Sequence, residues 1–459
     1  MEKILSFDSG TTNTKIFTYS LDGSILQSFS IKNQIFFPQP LFAEQNSDDW
    51  IYALRKGISQ IKSRKEIIGI SGSFQGGTFV LLDKNGFPLM PGITWLDNRA
   101  KDIARFVVSR YGEDFFYRKT GYVPGGWSCL AILLWLKKYQ PECFKKIERI
   151  SFVADYINHY FTGNFVLDHT NAAITTLYNI KKGTWDEEIL EIIGIKKQML
   201  PEIAEAGDVA GTLKEDVSRE TGLRSGIPVL VGGHDQYCAS FGSGACKKNK
   251  VLISCGTAWV LLATTNRIFF DPLRNFSPGP HVKTGLYGLM SSISNGGVVY
   301  DWGTKVFSVR TYNFNRPSSL VVIPELTTAS GVIAGISLST KPDDILQAIV
   351  ESLCFQVREG LERMGKILSS EEKIKGIVMI GGAASHRCLG QLLADITGRS
   401  VFIPEINEAA VYGAMKLFRD INQKFKTRGI YFRCRKRLYV DYSRNFEKYL
   451  SHKRTIVGC

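Results

Sequence analysis

Ser6-Phe7-Asp8-Ser9-Gly10-Thr11-Thr12-Asn13-Thr14-Lys15 decides how the rest of this 459-residue chain is read. Apolar pairs flank it, Ile4-Leu5 before and Ile16-Phe17 after. A carboxylate therefore closes one strand, and a Gly-Thr-Thr-Asn turn opens the next. Such a turn aims backbone N–H groups and hydroxyls at one anion, while Asp8 can hold a cation beside it. A Mg-nucleotide phosphate suits that pairing, although Gly-Thr hairpin turns also serve purely structural ends.

Working outward, residues 3–8, 13–19 and 24–30 read as a three-stranded meander. A helix over 47–62 follows, opened by Ser47-Asp48-Asp49. Ile67 to Ser71 reads as a buried strand ending in Gly72-Ser73-Phe74-Gln75-Gly76-Gly77. Pro228 to Val231 reads as another, ending in Gly232-Gly233-His234-Asp235. Near Cys246 the pattern restarts: Lys250-Val251-Leu252-Ile253-Ser254-Cys255-Gly256-Thr257 echoes the opening strand and its Gly-Thr turn. Residues 343–368 read as a long helix, and Lys375 to Ile380 as a strand delivered to Gly381-Gly382-Ala383. Strands alternating with helices in both halves predict α/β domains with mixed sheets, divided as 1–245 and 246–459. Ligands in open α/β sheets bind outside the carboxyl ends of strands, where glycine lets backbone approach phosphate. Four such ends recur, at Asp8/Gly10, Gly233/Asp235, Gly256/Thr257 and Gly381/Gly382. Neither a P-loop lysine motif nor a Rossmann glycine fingerprint follows a first strand, so the pattern favours a nucleotide gripped between two domains.

Composition narrows the class. Apolar residues at 44% and charged residues at 22% are those of a globular protein. Met1-Glu2-Lys3 leads directly into a strand, and the apolar stretch Leu130 to Leu136 is too short to span a bilayer. Nine cysteines without CxxC pairing fit a reduced, cytoplasmic protein. Of the +14 net charge, +9 falls after residue 423, where eleven Lys/Arg face Asp441 and Glu447. Tyr439, Tyr442, Phe446 and Tyr449 recur there at helical spacing, so a packed C-terminal helix is expected rather than a nucleic-acid arm.

On these residues the chain resembles the FGGY carbohydrate kinases, in the xylulokinase-like branch of the actin/sugar-kinase/Hsp70 ATPase superfamily. Carrying the resemblance are Phe7-Asp8-Ser9-Gly10-Thr11-Thr12, Gly232-Gly233-His234-Asp235-Gln236, Ser254-Cys255-Gly256-Thr257 and Gly381-Gly382-Ala383-Ala384-Ser385. So does the C-terminal signature, Gly331-Val332-Ile333-Ala334-Gly335-Ile336 followed by Asp344 to Glu351. Trp95-Leu96-Asp97-Asn98-Arg99 is similar to the sugar-side segment of the family's ketose kinases.

The resemblance implies two ribonuclease H-like (actin-like ATPase) domains and an active site in the cleft between them. It implies ATP and Mg2+ as cofactors, and phosphorylation of a sugar hydroxyl, foremost that of a ketose. Asp235 would be the general base and Asp8 the magnesium-side residue. Gly10, Thr11, Thr12, Asn13, Gly256 and Thr257 would meet the phosphates, and Gly381, Gly382 and Ala383 the adenosine. Gln75, Trp95, Asp97, Arg99 and Asp235 would surround the sugar, with His234 a packing or orienting residue. The expected partners are a small-molecule sugar and ATP. No membrane or nucleic acid is expected, and a homodimer is left open.

Three departures from the family's pattern stand out, the second of which weakens a specific xylulose assignment. Ile132 occupies the place of a lysine in the family's N-terminal signature. Ser73-Phe74-Gln75 replaces Gln-Met-His in the substrate loop. The stretch Phe307 to Leu326 is shortened. A kinase for another polyol or a sugar acid, a superfamily ATPase acting as a chaperone or scaffold switch, and a sugar sensor are the competing readings.

Overall fold

The structure is a computed structural model that describes residues 1–247, 249–256, 258–293, 296–307, 316–324, 331–406, 408–418 and 427–457. Thr257 and much of the shortened stretch 307–326 lie outside the described residues. The fold is mixed α/β and divides into two compact units. Unit 1 comprises Met1–Gly242, Asn266–Gly288 and Glu408–Lys426; unit 2 comprises Ser243–Thr265, Leu289–Asn407 and Thr427–Cys459.

Unit 1 is built on the opening meander: β1 (Lys3–Ser9), β2 (Asn13–Ser20) and β3 (Ile25–Lys32) pair antiparallel. Alternate apolar residues hold it down, with Leu5, Phe7 and Ile16 buried in the main core and Ile4, Phe17 and Tyr19 packed on the other face. β4 (Ile67–Phe74) joins β1 in parallel, and β5 (Val209–Thr212) and β6 (Pro228–Leu230) extend the sheet in the order β5-β6-β4-β1-β2-β3. A short strand, β7 (Gly233–His234), also pairs parallel with β4. Both faces of β1 and β4 are covered, which explains their near-continuous burial. The expected helix appears as Ser47–Ser59, capped by the Asn46 side chain and packing Trp50, Leu54 and Ile58 inward. On the opposite face the helix Ala409–Met415 packs against β1 and β4, accepting hydrogen bonds from Ser6 and Ser71 at the Val411 and Ala414 carbonyls.

Unit 2 repeats the plan. β8 (Lys250–Cys255) pairs antiparallel with β9 (Trp259–Thr265) and parallel with β10 (Gly376–Ile380). β11 (Ser400–Pro404) and β12 (Gly429–Phe432) continue the sheet beyond β10. The long helix runs Pro342–Ile367, with Leu346, Ile349, Leu353, Val357 and Leu361 on its buried stripe. The basic C-terminal segment forms the helix Lys436–Val457; Tyr442, Phe446 and Tyr449 are buried, and the Arg358 guanidinium lies 4.4 Å from the Phe446 ring centroid. Arg435 and Lys453 pair with Asp395 and Glu359, so part of the tail's positive charge is neutralised within unit 2. Among the described residues no helix is long and apolar enough to cross a membrane.

Candidate active site

Register brings the acidic strand ends of unit 1 together. In the parallel pairing of β1 with β4, Asp8 stands opposite Ser73; in that of β7 with β4, Gly233 stands opposite the same Ser73. Asp8 and Asp235 are therefore delivered to one edge of the sheet by strands flanking β4. The approach of β7 to β4 needs Gly232, because a Cβ there would lie 1.9 Å from the Gly72 carbonyl oxygen. Behind β7, the Thr170 hydroxyl accepts the His234 backbone N–H at 2.9 Å and itself donates to Asp168, which caps the helix His169–Ile174.

The two carboxylates are electrostatically costly. Asp8 is pushed up to about 7, chiefly by burial and then by the charge of Asp235. The Ser73 hydroxyl, donating to Asp8 at 2.5 Å, and Lys15 offset this only in part. Lys15 faces Asp8 across the β1–β2 pair but is also engaged by Glu408 at 2.7 Å. Asp235, at the start of the helix Asp235–Ser243, is pushed up to about 6 by burial, against hydrogen bonds from Gln236. His234 is buried and held down to about 4, hence neutral, with Nδ1 3.5 Å from Asp235 and without a hydrogen-bond partner.

The turn between β1 and β2 is closed by the Gly10 N–H donating to the Asn13 carbonyl at 3.0 Å. Its outer residue Thr12 is exposed, while Thr11 is half-buried and tied back twice. The Trp95 indole N–H donates to the Thr11 hydroxyl at 2.9 Å, and the Gln45 amide donates to the Thr11 carbonyl at 2.7 Å. Trp95 is 42% exposed, so a ring face remains open to a ligand. Gln75 is buried; its amide donates to Gln45 at 2.9 Å and accepts from Thr78 at 3.2 Å.

Asp97 and Arg99 are placed differently from the direct sugar contact expected of them. Both are inside the protein, Asp97 at 0% exposure and the Arg99 side chain at 1%. The guanidinium pairs with Asp97 at 2.7 Å and Glu44 at 2.6 Å and lies 3.8 Å from the Phe42 ring centroid. The Ala43 N–H donates to the Asp97 carboxylate as well, leaving neither oxygen unpaired. Phe74 is also internal, edge-on to Phe7, so the residue replacing methionine in the substrate loop faces the core. Ile132 is fully buried in the helix Cys129–Tyr139, where a lysine's charge would need a partner.

In unit 2, β8 and β10 end side by side, at Cys255-Gly256 and at Gly381-Gly382-Ala383. Gly381 has φ +92°, and a Cβ there would lie 2.6 Å from the Cys255 carbonyl oxygen. Its demand for glycine is thus set by the neighbouring strand end, whereas Gly382 faces open space. Gln45, Thr78 and Thr170 were not singled out by the sequence, and Ser73 was noted only as part of the substrate loop, without its bond to Asp8. The one signal for Gln45 was its place just before the cap of the Trp50 helix.

Residues 3–242 match the N-terminal domain of the FGGY family of carbohydrate kinases, and residues 320–418 match its C-terminal domain. The chain is 26% identical over 441 residues to a xylulose kinase of Lactococcus lactis, covering 90% of this chain and 87% of the relative. It is 28% identical over 444 residues to a glycerol kinase of Thermococcus gammatolerans, covering 90% and 88%. Among solved structures, a ligand-bound xylulose kinase from Lactobacillus acidophilus superposes with a TM-score of 0.92 at 24% identity, over 100% of this chain and 99% of that one. A gluconate kinase from the same organism superposes with a TM-score of 0.91 at 24% identity, over 99% and 98%. These neighbours share the two-domain, actin-like ATPase fold.

Proposed function

The chain belongs to the FGGY family of carbohydrate kinases, which phosphorylate sugars at the expense of ATP, and on that premise we propose that Asp235 is the general base and an uncharged ketose the acceptor. The observation that carries this reading is the delivery of Asp8 and Asp235 to the same end of the sheet by the strands that flank β4, two carboxylates raised by burial, with Asp8 leading into a Gly-Thr turn. Asp235 removes the proton as the sugar oxygen attacks the γ-phosphorus. The new O–P bond forms as the bond to the β-phosphate oxygen breaks, and ADP leaves. Hydrogen bonds from Gln236 hold the Asp235 carboxylate in its ionised form and orient it. The N–H groups and hydroxyls of Thr11, Thr12 and Asn13 receive phosphate oxygens. Gly256 with Thr257, and Gly381, Gly382 and Ala383, are assigned to the nucleotide.

The donor set suits magnesium. The negative charge of Asp8 is disfavoured by burial and by Asp235 and only partly stabilised by Ser73 and Lys15, so a cation beside it would relieve it. No group of three or more metal-binding side chains surrounds it among the described residues. Magnesium is commonly held by one or two carboxylates, its remaining positions filled by water and substrate phosphate. Bound there, it supplies charge neutralisation to the transferring phosphoryl group.

The charge of the sugar side favours a neutral acceptor over a sugar acid. Arg99 is already balanced by Asp97 and Glu44, and Asp235 and Asp8 add negative charge. A coupled ADP-release assay tests the proposal with D-xylulose, D-ribulose, glycerol, glucitol and gluconate. Stimulation by a neutral member, lost in Asp235→Asn, is expected. Gluconate as the best acceptor refutes the neutral-substrate reading, and equal ADP release with and without every compound refutes the kinase reading in favour of an ATPase. The cell interior, where ATP and sugars are present with reduced thiols, is the proposed location.

A further inference from the structure

We infer that Gln45 is a positioning residue that sets the shape of the phosphate turn and joins it to the sugar-side wall. The inference rests on the proposed roles of Thr11 and Gln75. Gln45 lies in the two-residue strand Glu44–Gln45, paired antiparallel with Gly92–Ile93. Successive strand residues point to opposite faces. Glu44 accordingly reaches Arg99, while Gln45 turns to the other side and is 1% exposed.

Its primary amide is used at both ends. The Trp50 indole N–H donates to Oε1 at 3.2 Å, and the Gln75 amide donates to the same oxygen at 2.9 Å. Two donors on Oε1 fix which end of the amide is oxygen, so Nε2 is committed to the Thr11 carbonyl at 2.7 Å. Trp50 is wholly buried and cannot swing away; a Cβ at Gly92, across the strand pair, would lie 3.0 Å from its ring. Thr78 in turn locks the Gln75 amide. Trp95 supplies a second tie to Thr11 through its indole N–H.

A turn that must present several N–H groups to one phosphate depends on where its carbonyls are held. Gln45 holds one of them, and the residue it leans on is the proposed sugar contact Gln75.

Steady-state KM values for ATP and for the best acceptor of the panel, measured on the full chain, test this. Gln45→Glu keeps an acceptor for Trp50 and Gln75 but replaces the donor to Thr11 by an oxygen. It is expected to raise the KM for ATP about tenfold, with the acceptor KM within about twofold. Gln75→Leu is expected to do the reverse. A residue that merely stabilised the fold would lower kcat or the melting temperature without splitting the two constants. Equal changes in both KM values for Gln45→Glu, or no change in the ATP value, overturn the inference. Should Gln45→Glu fail to fold, Gln45→Met gives the reading: it keeps the side chain's length but removes the Nε2 donor to the Thr11 carbonyl, and an unchanged ATP KM overturns the inference. If the wild type releases no ADP in response to any acceptor, the kinase reading fails first and takes this inference with it.

Discussion

Replacing Asp8 by Asn is expected to stabilise the ligand-free protein at alkaline pH while abolishing its activity. Asp8 rises from an ordinary value of 3.8 to about 7 on folding, because burial and Asp235 disfavour its charge. At ~1.4 kcal/mol per pH unit, that shift of roughly three units sets a ceiling of about 4 kcal/mol on the penalty for folding with Asp8 ionised. The side chain is half-buried, so solvent screening reduces this to roughly 2 kcal/mol. The sign follows from linkage. Below pH 3.8 Asp8 is protonated in the folded and unfolded chains alike and costs nothing. Between there and about 7 the unfolded chain ionises while the folded one does not, so wild-type stability falls as pH rises. Above about 7 the full penalty is present. Asn carries no charge, and its carbonyl can still accept the Ser73 hydroxyl. At ~2 °C per kcal/mol the variant should melt about 4 °C above wild type at pH 8, and the gain should vanish at pH 4. Calorimetry without magnesium or nucleotide at the two pH values reads it. A variant less stable than wild type at pH 8, or a gain that is the same at pH 4, refutes the electrostatic account of this carboxylate pair.

Asp235→Asn should reduce acceptor-stimulated ADP release by about 10²–10⁴-fold, while a melting scan with and without ATP should still register nucleotide binding. Because the ionised form of Asp235 is the base and its value is about 6, wild-type kcat/KM should fall about tenfold per pH unit below that point and level off above it; a flat profile from pH 5 to 8 refutes this. Gly381→Ala places a Cβ 2.6 Å from the Cys255 carbonyl at φ +92°. It should cost roughly 1–3 kcal/mol in denaturant unfolding and raise the KM for ATP. Phe446→Ala removes a buried ring beneath Arg358 and should cost ~3–5 kcal/mol. Unfolding followed by tryptophan fluorescence would show whether the basic tail is part of unit 2's core.

The parts of the site carried by local pattern were legible. A strand, a carboxylate and a Gly-Thr turn follow one another within ten residues around Asp8, and glycine-marked strand ends recur at Gly233, Gly256 and Gly381. The C-terminal helix was legible for the same reason, since its aromatic spacing needs no distant partner. What failed to show was anything settled by contacts across the chain. Asp97 and Arg99 read as sugar contacts because nothing nearby in sequence reveals Glu44 and Phe42, which close over the guanidinium. Phe74 read as a substrate-loop residue, but strand alternation turns it onto Phe7 while Ser73 and Gln75 face the site. Gln45 was nearly silent: apart from its place before the Trp50 helix, its partners Thr11 and Gln75 and, through Thr11, Trp95 are drawn from separate segments.

Buried polarity divides this site into two kinds of group, and the division bears on function. The charges that find partners, Arg99 with Asp97 and Glu44, are inside and balanced, although the Arg99 Nη1 is buried without a hydrogen-bond partner. Those that find too few, Asp8 and Asp235, are partly buried and carry raised pKa values. A fold selected only for stability would have neutralised the second pair, as Asn at position 8 would do. Retaining two carboxylates at the same end of strands that flank β4 makes sense where a cation and a sugar hydroxyl relieve them during the reaction. The neutral amide of Gln45 fits the same division: it fixes the geometry of the phosphate turn without adding charge to a site already too negative.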